Sequence, residues 1–235
     1  MTALAPVAVA LDTTDLDVAA GWASAAGPYV STVKVGLELY LRHGAAAVAR
    51  AREASGGRAV FLDLKLHDIP NTVAGGARAV ADLAPDFLTV HAAGGPAMVR
   101  AAVEALPGAR ITAVTVLTSL SAADLERIGL VGPPLDAVRR LAVLAVSGGA
   151  QALVCSPQEV AAVRAEVGTD VVLITPGVRP AGSDPGDQAR VTTPEQALAD
   201  GADLLVVGRP ITGAADPGAA AASLAAALPP ERGTG

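Results

Sequence analysis

Eight short runs of apolar, β-branched residues, with helical segments between them, constrain the fold of this chain more than any other feature. They are Val7–Leu11, Thr32–Val35, Ala59–Leu62, Phe87–Val90, Ile111–Val116, Ala152–Cys155, Val171–Ile174 and Leu204–Val207. Most are apolar at successive positions, the pattern of strands buried on both faces. Helical segments such as Pro96–Leu106 and Leu135–Ser147 separate them, and Gly and Pro cluster after strands and between units, as turn residues do. Eight strand–helix units in 235 residues fit one closed (β/α)8 TIM barrel, commonly about 250 residues long, better than a doubly wound sheet. The expected organisation is a single α/β domain: a catalytic barrel over residues 1–228, no linker, and a disordered tail over residues 229–235.

Composition agrees. The chain is 51% hydrophobic but only 2% aromatic, so its core must be built from Val, Leu, Ile and Ala. A net charge of −6 without blocks of like charge argues against nucleic acid, whose phosphates need a basic face. A small anionic substrate needs only local positive charge. The single cysteine, Cys155, rules out an intrachain disulfide and a cysteine zinc cluster. No signal peptide and no membrane-spanning stretch is read, so the expected setting is soluble and cytoplasmic.

The polar residues fall at the predicted strand ends. Asp12 follows the first run, Lys34 lies near the end of the second, and Asp63 and Lys65 close the third. His91 closes the fourth, and Thr118 and Ser119 follow the fifth. Pro176-Gly177-Val178-Arg179 follows the seventh and Gly208-Arg209 the eighth. Active sites of such barrels form at the C-terminal ends of the strands.

Asp63 and Lys65 are two apart, and on an extended strand such residues point to the same side. Both should face one pocket, with Lys34 joining from the neighbouring strand and Asp68 three residues further on, in the loop. Flanking carboxylates favour the cationic form of an amine. A charged Lys65 suits a proton donor better than a Schiff-base nucleophile. A structural salt-bridge network is the plainer alternative, but a buried acid–base cluster is costly in an apolar chain.

Gly208-Arg209 opens a helix after the eighth strand, where barrels of this kind commonly bind phosphate. Arg209 would add a cation with two hydrogen bonds to offer, although Gly after a strand is also ordinary turn chemistry. The stretch 176–187 is rich in Gly and Pro, carries Arg179, and reads as a lid or as a plain surface loop. His43 reads as a helix-surface residue, His67 and His91 as hydrogen-bonding neighbours of the site, and Cys155 as a small buried hydrophobe.

These residues match a known pattern. FLDLKLHDIPNT (Phe61–Thr72) closely resembles the signature of the orotidine 5′-phosphate decarboxylase family. VALD (Val9–Asp12), VKVGLEL (Val33–Leu39), VHAAGG (Val90–Gly95), AVTVLTS (Ala113–Ser119), TPGVRP (Thr175–Pro180), DQ.RV.TP (Asp187–Pro194) and VVGRPIT (Val206–Thr212) resemble that family in its order, over nearly the whole chain. D-x-K-x-x-D alone is shared with sugar-phosphate enzymes on the same barrel; HDIPNT and the DQ and VVGRPIT segments narrow the choice.

The resemblance implies cofactor-independent, metal-free decarboxylation of orotidine 5′-phosphate to uridine 5′-phosphate (UMP), the last step of de novo UMP synthesis. Asp12 and Lys34 would bind the ribose hydroxyls, Asp63 would face the substrate carboxylate, and Lys65 would donate the proton. Asp68 and Thr72 would reach into the partner's site in a homodimer. Thr118 would contact the pyrimidine, with Ser119 and Ser121 left open as alternatives. Arg179, Gly208 and Arg209 would hold the phosphate, and Gln188 would bridge base and phosphate. The closest rival is a magnesium-dependent sugar-phosphate decarboxylase or synthase of the same superfamily; a non-catalytic nucleotide-binding barrel is the more distant one.

Overall fold

The computed structural model describes residues 4–130, 132–179 and 192–229. Eight parallel strands close into a barrel in chain order, with the last pairing back onto the first. They are β1 (Ala5–Ala10), β2 (Val30–Gly36), β3 (Ala59–Leu66), β4 (Phe87–His91), β5 (Arg110–Val114), β6 (Ala152–Val154), β7 (Val172–Thr175) and β8 (Leu204–Val207). The helices are α1 (Leu16–Ala26), α2 (Leu37–His43), α3 (Ala45–Ala54), α4 (Pro70–Ala79), α5 (Gly95–Ala105), α6 (Ala122–Arg127), α7 (Pro134–Ser147), α8 (Val160–Val167), α9 (Pro194–Ala199), α10 (Arg209–Thr212) and α11 (Pro217–Ala227). The predicted barrel is therefore the observed one, and all eight runs became strands.

The successive apolar positions of each run serve two cores. Val7, Val9, Val33, Val35, Leu62 and Leu88 point outward and are buried against the helices. Ala8, Phe61, Phe87, Ala152, Ile174 and Leu204 fill the barrel interior. Each fully buried Leu or Val removes enough apolar surface from water to contribute roughly 1.5–3 kcal/mol. The two phenylalanines of the chain meet edge-on inside, ring centres 5.9 Å apart, and the Arg110 guanidinium lies 5.6 Å from the Phe87 ring centre. This plug fills the N-terminal end of the barrel and leaves the C-terminal end to polar side chains.

Local signals explain two boundaries near the site. Asp15 caps α1, its carboxylate accepting from the Asp17 and Val18 amides. β5 stops at Val114, two residues before the expected end. There the Thr115 amide and hydroxyl both donate to the Val154 carbonyl, at 3.2 and 2.9 Å, which closes the ladder.

β3 differs most from expectation. It runs four residues past the predicted Leu62 and loses register with β4: Leu62 pairs with Leu88, but Leu66 pairs with Val90. Four steps on one strand answer two on the other, so β3 bulges. Lys65 takes up the excess at φ +50°, a left-handed conformation that costs a non-glycine residue about 1–3 kcal/mol. The plain extended-strand argument for Asp63 and Lys65 therefore needs correction: they share a face across a bulge. The tail from residue 230 onward lies outside the described residues.

Candidate active site

The strand ends surround a cavity of about 490 Å³. Four predicted charged residues line its first wall, one after another: Asp12 after β1, Lys34 on β2, and Asp63 and Lys65 on β3. Lys34 Nζ lies 2.9 Å from Asp12 Oδ1 and 3.6 Å from Asp63 Oδ2. Lys65 Nζ lies 2.8 Å from both Asp63 oxygens. The result is an alternating row of anion, cation, anion and cation. Each inner charge has opposite neighbours, which offsets the desolvation that a lone buried ion would suffer.

Burial grades along this row. The side chains of Lys34 and Asp63 are only 9% and 13% exposed, Lys65 is 30% and Asp12 57%. Burial would raise the Asp63 pKa, but Lys34 and Lys65, together with hydrogen bonds from Lys65 and Thr89, hold it below the usual carboxylate value. Asp63 is thus a fixed anion. Gly36 at the end of β2 makes room for the row: a Cβ there would stand 2.9 Å from Asp12 Oδ1 and 3.0 Å from Lys34 Nζ.

The second wall is different. Val114, Val154 and Val206 face inward from β5, β6 and β8, above Phe61 at the floor. Over them come Thr118, Gly177, Arg179, Gly208, Arg209 and Thr212. Arg209 is the first residue of α10, with Gly208 at the cap. The Arg179 amide donates to the Thr192 carbonyl at 3.0 Å, and Val178 bridges Thr192, so both ends of the intervening loop are held together at the cavity rim. Gln188 and most of the expected lid, residues 180–187, lie outside the described residues.

Other expected residues sort by position. Asp68 and Thr72 are exposed and do not line the cavity. Asp68 Oδ1 accepts from the Ile69 amide at 2.6 Å, and Thr72 sits in the first turn of α4. Thr118 lines the cavity, whereas Ser119 faces a separate hollow and Ser121 caps α6. His43 Nε2 lies 2.8 Å from the Thr14 carbonyl oxygen, tying α2 to the loop after β1.

His67 and His91 stack with ring centres 5.2 Å apart. Burial, His67 and Lys65 lower the His91 pKa against the opposing effect of Asp63. Cys155 is buried, which pushes its thiol pKa far up, as a small hydrophobe requires. Among the described residues, no group of three or more His, Cys, Asp or Glu is placed to hold a metal ion, and no helix is long and apolar enough to cross a membrane.

Sequence reasoning missed Thr89, Gly36 and Thr212. Thr89 was findable: it lies two before His91 on a strand, hence on the same inward face. Gly36 and Thr212 lay inside matched segments without a spacing signal of their own.

Residues 5–224 match the family model described as orotidine 5′-phosphate decarboxylase / HUMPS family. An orotidine 5′-phosphate decarboxylase of Thermobifida fusca is 71% identical over 224 residues, covering 95% of this chain and 96% of the relative. One from Frankia casuarinae is 60% identical, covering 95% and 88%. The crystal structure of orotidine 5′-phosphate decarboxylase from Lactobacillus acidophilus superposes with a TM-score of 0.80 at 37% identity, covering 94% of this chain and 97% of that one. These relatives carry the decarboxylase name, so the sugar-phosphate alternative gains no support from them. By the extent of the family match and the identity to these relatives, the chain belongs to the orotidine 5′-phosphate decarboxylase / HUMPS family.

Proposed function

We propose that this protein decarboxylates orotidine 5′-phosphate to UMP and CO2, the closing step of UMP synthesis. The observation that carries the reading is the alternating row Asp12–Lys34–Asp63–Lys65 facing a cavity with Arg179 and Arg209 on the opposite rim.

The chemistry explains why such a row is useful. When the C6–carboxylate bond breaks, CO2 departs and the electron pair stays on C6. No ring position delocalises that pair easily, and many decarboxylases borrow a cofactor as electron sink. Here a preorganised ammonium does the stabilising. Lys65 stands where the negative charge develops and then passes one Nζ proton to C6; solvent reprotonates the amine. Asp63 pins Lys65 through both oxygens and faces the departing carboxylate. Lys34 and Asp12 hold the ribose hydroxyls, and Lys34 keeps Asp63 anionic. Enzymes supply roughly 8–23 kcal/mol of such stabilisation, and a carbanion this poorly delocalised belongs near the top of that range.

The second wall binds. Arg179, Gly208 and Arg209 take the phosphate, Thr118 the pyrimidine, and Gln188 links the two. Phosphate affinity realised far from the breaking bond is then available at the transition state. Asp68 and Thr72 serve the neighbouring site of a homodimer. Their exposure outside their own cavity supports this, as do two exposed apolar side chains, Leu41 on α2 at 77% and Ile69 at the cap of α4, beside Asp68, at 66%. A monomer in sedimentation at assay concentration would remove the shared-site part of the reading. The expected setting is the cytoplasm.

The direct test is to follow the absorbance of orotidine 5′-phosphate with purified protein. Steady conversion to UMP is expected. A protein that leaves the nucleotide unchanged while remaining folded would refute the reading.

A further inference from the structure

Thr89 on β4 is buried with 0% exposure, and its hydroxyl touches both members of the Asp63–Lys65 pair. Its Oγ1 donates to Asp63 Oδ1 at 3.0 Å and accepts from the Lys65 backbone amide at 2.7 Å. A hydroxyl has one proton to give. That proton goes to Asp63, so the accepting side is left for Lys65, and one rotamer satisfies both.

The position of this contact matters. The ladder between β3 and β4 loses register from Leu62 to Leu66. Inside that interval Lys65 turns to φ +50°. A strained conformation persists only where its surroundings over-determine it. In the bulge, the Thr89 hydroxyl takes the Lys65 amide. The same atom braces the carboxylate that receives the Lys65 ammonium. Backbone and side chain of Lys65 are thus referred to one fixed point on the neighbouring strand.

We infer that Thr89 is a positioning residue for the reaction: through its single hydroxyl it holds the β3 bulge and aligns Asp63 and Lys65 over the cavity. It is expected to act on turnover and to leave substrate affinity nearly alone, because it does not line the cavity. A misplacement of about 1 Å at a reacting group can cost about 100-fold in rate. The inference rests on the decarboxylase reading above.

Thr89→Val keeps the shape and removes the hydroxyl; Thr89→Ser keeps the hydroxyl and removes a methyl. In the orotidine 5′-phosphate assay, Thr89→Val should lower kcat by about 10–100-fold with KM within about threefold. Thr89→Ser should hold kcat within about threefold of wild type, because the hydroxyl is what counts. A folded Thr89→Val enzyme with wild-type kcat, or a Thr89→Ser enzyme as slow as Thr89→Val, would overturn the inference. Should Thr89→Val not fold, Thr89→Ala is read by the same criteria. Inactive wild-type protein would count against the decarboxylase reading, whereas active wild type beside an indifferent Thr89→Val counts against Thr89 alone.

Discussion

The two halves of the barrel meet the same cavity with opposite chemistry. On β2 and β3 the inward positions near the mouth carry Lys34, Asp63 and Lys65, with Asp12 just beyond β1 and Thr89 of β4 buried behind Asp63. On β5, β6 and β8 the corresponding positions carry Val114, Val154 and Val206. In the second half the charges, Arg179 and Arg209, stand after the strands: Arg179 in the loop that follows β7, Arg209 at the start of α10. A strand fixes a side chain more tightly than a loop does. On the proposed reading, the half that places a cation over a developing carbanion uses strands and a hydrogen-bonded bulge, and the half that admits and releases a nucleotide uses apolar walls and residues beyond the strand ends.

Substitutions can break this division of labour, and the largest effect belongs to the first half. Lys65→Ala should lower turnover by at least about 10⁴-fold, since it removes the proposed proton donor and preorganised cation together. Calorimetry should still find UMP bound, within about tenfold of the wild-type Kd. Loss of binding in parallel with turnover would mean that Lys65 holds the ligand rather than driving the chemistry. Arg209→Ala comes next. Removing a charge-assisted phosphate contact should weaken UMP by about 100-fold and leave uridine unaffected. Equal losses for both ligands would move Arg209 away from the phosphate.

The smallest effect concerns His91, at the edge of the charged half. Its folded pKa lies below its unfolded value near 6.5. Between the two, the unfolded chain binds more protons, so stability falls as pH drops below about 6.5 and levels off once the folded pKa is passed. His91→Asn should therefore lose less stability than wild type between pH 7 and pH 5. Denaturant midpoints at both pH values measure this, and an identical pH dependence in the two proteins would contradict it.

The same contrast explains what was legible in the sequence. Strand residues announce themselves: Lys34, Asp63 and Lys65 are charges at the ends of apolar runs, and all three line one cavity. Period two alone does not explain how Asp63 and Lys65 share a face, because it cannot reveal a bulge. The excess of β3 residues exists only relative to β4, and a left-handed lysine carries no local signal. Period two places Thr89 on the inward face with His91, but a threonine within FLTVH also reads as an ordinary β-former, and only its partners show what its hydroxyl does. Residues beyond the strands were placed by motif and not by period. Of Thr118, Ser119 and Ser121, only Thr118 lines the charged cavity, while Ser121 caps α6 and Ser119 faces another hollow, and no period in the sequence shows that placement.

On the proposed reading, the charged row turns over orotidine 5′-phosphate through its own side chains. The most direct measurement supplies wild-type protein with carboxyl-labelled substrate after exhaustive chelation and counts CO2 against UMP. One CO2 is expected for each UMP, at the rate seen before chelation. Activity that vanishes with the chelator and returns with magnesium would contradict it.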